Sequence, residues 1–84
     1  MPNLLSLRQL IGYRVMDPAG PTELIVSDLE INKEKRIVSL VLREPRDRSP
    51  HYATDWLDVK VDHRKRKVFI IPALLRRFNP PNAN

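Results

Sequence analysis

Ile37-Val38-Ser39-Leu40-Val41-Leu42 is preceded by Asn32-Lys33-Glu34-Lys35-Arg36 and closed by Arg43-Glu44-Pro45. A mostly aliphatic hexamer between charged flanks has the length of a buried β-strand and is too short for an ordinary helix. In a strand, Val38, Leu40 and Leu42 share one face and Ile37, Ser39 and Val41 the other, so both faces can bury apolar side chains. The stretch therefore predicts a central strand that its neighbours must cover.

Upstream, Glu23 to Ile31 alternates, with Leu24, Val26 and Asp28 on one face and Ile25, Ser27, Leu29 and Ile31 on the other. Asn32 to Lys35 is the tight turn between this second strand and the central one. Asp17-Pro18-Ala19-Gly20-Pro21 is a turn because proline fixes φ and glycine relaxes it, and it joins the second strand to a first over Tyr13 to Met16. Before that, Ser6 to Gly12 reads as one helical turn with Leu7, Leu10 and Ile11 on one side.

Downstream, Arg43 to Pro50 carries two prolines and alternating charge and reads as a loop. Tyr52, Thr54 and Trp56 resume alternation as a fourth strand, which continues extended to Asp62 with Leu57, Val59 and Val61 on one face. His63 to Arg66 turns the chain into Lys67 to Ile71, a second hairpin. Pro72 to Phe78 is a short helical turn that docks Leu74, Leu75 and Phe78, and residues 79–84 are a Pro/Asn-rich flexible tail. Residues 1–78 thus form a single all-β domain. The predicted architecture is a small six-stranded antiparallel β-barrel with a C-terminal helical turn, since closure removes the edges that a short sheet cannot otherwise protect.

A chain of 84 residues buries only about 60% of the surface its unfolded form exposes, so most of its apolar content must be core. It has no cysteine, which excludes disulfides, thiolate zinc sites and thiol catalysis and fits a reducing compartment. No apolar run approaches the length that crosses a bilayer, and no basic segment followed by an apolar one opens the sequence. A cytoplasmic protein is expected.

The net charge of +5 is local. Arg64, Lys65, Arg66, Lys67, Arg76 and Arg77 fall between His63 and the end of the last apolar segment with no acid among them, while the rest of the chain holds nine of the fifteen basic residues against all ten acids. These six residues are the candidate contacts for a partner or for phosphate, whether on nucleic acid, an acidic protein or a membrane surface. As a plain solvated turn they need no partner at all.

Chemistry-bearing residues are sparse. His51 and His63 are the two histidines, with Asp47 or Asp55 and Asp62 near them in sequence, but a metal site needs three or four convergent ligands and an acid–base pair needs a cleft. Asp28 reads as an acceptor for backbone amides. Tyr52 and Trp56 could form a stacking platform for single-stranded nucleic acid, yet a core this small has few aromatics to spare and Trp56 is better read as core. No nucleophile triad, phosphate loop or carboxylate pair is present, so no catalytic, cofactor or metal residue is assigned.

The order Leu10-Ile11-Gly12-Tyr13-Arg14-Val15, Asp17, Gly20, Val26-Ser27-Asp28-Leu29, Ile37 to Leu42, Asp55-Trp56 and Val59-Lys60-Val61, with an apolar stretch ending near Pro80, resembles the PRC-barrel domain family over roughly residues 7 to 81. One position departs: Leu24 stands where the family usually has a second glycine, which leaves the geometry of the first hairpin open. The resemblance implies a six-stranded barrel acting as a non-enzymatic interaction or adaptor module, as in the photosynthetic reaction-centre H subunit and a ribosome-maturation factor. A protein partner and a homodimer are therefore expected, since a domain this small gains stability by covering a second surface. The alternative is a β-barrel that binds RNA or DNA through the basic hairpin tip.

Overall fold

The computed structural model describes residues 8–46 and 48–79. Its strands are β1 (Arg14–Asp17), β2 (Gly20–Ile31), β3 (Ile37–Arg43), β4 (His51–Asp55), β5 (Lys60–Asp62), β6 (Lys67–Phe69) and β7 (Arg76–Phe78), with 3-10 turns at Trp56–Asp58 and Pro72–Leu74. All seven strands belong to one sheet in the order β5-β6-β1-β2-β3-β4-β7. The hexamer lies in β3, between β2 and β4, as its two-sided apolar pattern requires.

Chain length forces this sheet to roll. In the sheet order β4 and β5 are five strand spacings apart, roughly 24 Å in a flat sheet. The connection from Asp55 to Lys60 spans at most about 18 Å when extended. It is shorter still with a 3-10 turn in it. Val61 of β5 and Leu75 before β7 accordingly pack against the same core as Val15, Val26, Leu40, Leu42 and Val68. Each fully buried Val or Leu contributes about 1.5–3 kcal/mol to holding the open sheet rolled around that core.

Two irregularities decide which residues face inward. Val26 pairs with Leu42 and Asp28 with Val41, so Ser27 is an extra residue in β2, and its hydroxyl donates to the Val41 carbonyl at 3.2 Å. The bulge switches the phase of the strand: Val26 is buried, Asp28 is exposed and Leu29 packs on the core. Likewise Ser39 pairs with Glu30 and Ile37 with Ile31, leaving Val38 over; Ile37 packs on the core while Val38 is exposed.

Several sequence expectations are corrected. The sheet has seven strands and an open order, in place of a closed six-stranded barrel, and β1 and β6 run parallel, so it is not wholly antiparallel. The fourth strand does not continue through Trp56: the 3-10 turn breaks it and leaves Leu57 almost fully exposed, outside the core face assigned to it. The C-terminal helical turn is limited to Pro72–Leu74, with Leu74 exposed, and the chain then becomes β7. Leu10 is buried but Ile11 points out. The first hairpin keeps Gly20 in the left-handed region, at φ 125°, and the register shifts opposite Val15, the stretch where Leu24 replaces the expected glycine. The predicted tail beyond Asn79 lies outside the described residues.

Candidate interaction surfaces

The predicted basic residues separate into two settings. Arg64, Lys65 and Arg66 are exposed on the turn between β5 and β6, and Lys67 begins β6 half-buried. The turn is fixed by backbone contacts. Asp62 Oδ1 accepts the Lys65 amide at 3.1 Å, and Arg66 takes a left-handed φ of 54° with its carbonyl accepting the Arg14 amide at 3.2 Å. Among the described residues none of these four side chains forms an ion pair.

The parallel pairing of β1 with β6 adds a cation that the sequence reading missed. Arg14 sits directly opposite Lys67 and is exposed. Five basic side chains thus gather at one end of the sheet, Arg14 from a segment 53 positions before its partner Lys67. No local pattern in the sequence signals a parallel strand three residues long.

Arg76 and Arg77 lie elsewhere, on β7 at the opposite end of the sheet. Arg76 reaches Asp55 at 2.9 Å and Glu30 at 3.9 Å, and Glu30 also accepts the Ser39 hydroxyl. Its charge is used within the fold. Arg77 stands over the ring of Tyr52, its strand partner in the register, 5.9 Å from the centroid. The structure therefore does not join the six predicted residues into one site.

The candidate chemical residues have structural partners. His63 Nδ1 lies 3.1 Å from the Tyr13 hydroxyl with the rings edge-to-face, beside a hollow of about 590 Å³ lined by Gln9, Ile11, Gly12, Tyr13, His63 and Arg66. His51 is on β4, opposite Arg43 and Phe78. Asp28 accepts the Leu29 amide at 2.8 Å. Trp56 packs on the core from the 3-10 turn, so it does not share a strand face with Tyr52. Among the described residues no three His, Asp or Glu side chains cluster as metal ligands, and no helix is long and apolar enough to cross a membrane.

The most continuous apolar exposure follows β6 into the second 3-10 turn. Phe69 (41% exposed) and Ile71 (49%) flank buried Ile70 on the outward side, and Leu74 (45%) is tied to Ile71 by a 2.9 Å amide-to-carbonyl bond. Half-buried Met16 pairs with Phe69 across β1 and β6, widening the ridge. No protein-family model, curated protein or solved structure matches this chain.

Proposed function

We propose that this chain is a cytoplasmic, non-enzymatic, PRC-barrel-like protein-interaction module that self-associates. The observation that carries the reading is the outward ridge of Phe69, Ile71 and Leu74 with Met16 beside it. Large apolar side chains exposed close together on the outside of a small rolled sheet mark a surface meant to be covered. The family resemblance is supported by the rolled all-β sheet and by Gly20 holding the first hairpin where the Asp17 and Gly20 markers fall. Sedimentation across micromolar to millimolar concentration tests it. A reversible dimer that Phe69→Ser with Ile71→Ser dissociates is expected, and a monomer throughout overturns the reading.

A second reading rests on Arg14 joining Arg64 to Lys67. Five cations that form no ion pair among the described residues, with Asp62 the acid set opposite Lys67, suit a phosphate backbone. Its test is salt: binding of single-stranded RNA should fall by orders of magnitude between low and moderate salt, whereas self-association through apolar surface should hardly change.

A further inference from the structure

Among the described residues the sheet has two unpaired edges, and they differ in what they can pair with. At one end, β5 reads Lys60-Val61-Asp62; at the other, β7 reads Arg76-Arg77-Phe78. Among the described residues, no backbone hydrogen bond leaves the outer edge of either strand. Unpaired strand edges are templates for another strand unless charge or distortion blocks them.

We infer that two copies of this chain join edge to edge through β5, antiparallel, with Val61 on the two-fold axis. This pairing places Lys60 of each copy opposite Asp62 of the other, so both cross-strand pairs are of opposite charge. The same operation on β7 centres Arg77 on Arg77, like charges directly opposite, which disfavours that edge. Only β5 is self-complementary.

The registers on either side agree with the join. Val61 faces the core with Val68 and Val15, so the two cores lie on the same side of one continuous sheet. On the outer face the row runs Met16, Phe69, Lys60, then Asp62, Lys67 and Arg14 of the second copy. Asp62 is then set between its own Lys67 and the other copy's Lys60, with its second carboxylate oxygen still available after the Lys65 amide is satisfied. Phe69 stands one strand in from the seam, opposite Lys60, on the outer face of the joined sheet.

This inference rests on the self-association proposed above and specifies its geometry. Lys60→Asp makes both cross-strand pairs acidic, and Asp62→Lys makes both basic. Each single variant should weaken the homodimer about ten-fold or more in sedimentation equilibrium. The double variant Lys60→Asp/Asp62→Lys restores complementarity and should return the wild-type constant. Mixing the two single variants should give a heterodimer that neither forms alone. Circular dichroism melts of the monomers separate loss of pairing from loss of fold. If wild type dimerises and both single variants dimerise equally well, the β5 seam is wrong while self-association stands; if wild type is monomeric at every concentration, both fall.

Discussion

At the β7 end of the sheet, Arg76 is held by Asp55 and Glu30 and Arg77 lies over Tyr52; at the β5 end, Arg64 to Lys67 and Arg14 form no ion pair among the described residues, although Asp62 stands opposite Lys67, and they lie beside the exposed Phe69. Both ends carry dense positive charge in the sequence, yet one uses it to tie three strands together and the other presents it outward. The difference comes from what the topology sets opposite each cation. β7 pairs with β4, whose Asp55 and, across β3, Glu30 of β2 supply two carboxylates to one arginine, whereas β6 lies between β5, whose Asp62 faces Lys67 and accepts the Lys65 amide, and β1, which brings a further arginine. A charge run acquires its meaning from its strand neighbours.

The largest expected effect removes both ends together. Leu40 is fully buried between them, so Leu40→Asp places an unpaired carboxylate in the core cluster that the described strands share. The cost is several kcal/mol, on the order of the whole stability of a domain this size. Loss of the cooperative melt is the expected outcome; an unchanged melt would show that the two ends do not share this support.

Next in size is a gain. Thr54 is fully buried on β4 and its Oγ1 has no hydrogen-bond partner among the described residues. It faces inward with its partner Leu40. Thr54→Val keeps the shape and removes the unpaired hydroxyl, so it should stabilise by about 1 kcal/mol, a rise of several degrees in Tm. Because Thr54 lies on β4, next to β7 and five strand spacings from β5 in the sheet order, the dimer constant should not move. A dimer that tightens along with the melt would couple the two ends.

Much of the fold was legible in residue order because alternation, turn residues and length all agreed over β3, the Asn32 to Lys35 turn and the hairpin at His63 to Arg66. Alternation failed where single residues were inserted. Ser27 and Val38 each shift the phase of their strand, and nothing in either side chain distinguishes it from a regular strand residue. The parallel β1–β6 pair was illegible for a different reason. Three-residue strands carry too little pattern to reveal direction, and the partner of Arg14 is fixed only when the sheet has rolled. For the candidate site, exposure of Arg64, Lys65 and Arg66 followed from their place on a turn, whereas the half-burial of Lys67 on β6 and the pairing of Arg76 did not. Asp55 and Glu30 reach it through two strand registers that local sequence does not encode.

A smaller effect tests the tied end. Arg76→Gln removes two ion pairs to partners that are all substantially solvent-exposed, and such pairs contribute about 0.2–1 kcal/mol each. The melt should fall slightly at low salt, and the difference from wild type should narrow at high salt as screening weakens the wild-type pairs. A loss that persists undiminished at high salt would mean that Arg76 acts through packing over Ala53, its strand partner, and not through charge.

The smallest effect on stability is expected at the presented end, and it is the most informative about function. Replacing Arg64, Lys65, Arg66 and Lys67 together by Ser or Gln removes no ion pair found among the described residues and leaves intact the backbone contacts that hold the turn, since Asp62 accepts an amide and Arg14 donates one to a carbonyl. The melt should therefore stay close to wild type. If these cations serve phosphate, the same variant abolishes the low-salt mobility shift of RNA or DNA, and Arg76→Gln, whose charge is already engaged, leaves it intact. An RNA shift that survives the four-residue replacement but is lost in Arg76→Gln would reverse the assignment of the two ends. No shift for wild type at any salt would leave the apolar ridge as the surface through which this domain meets a partner.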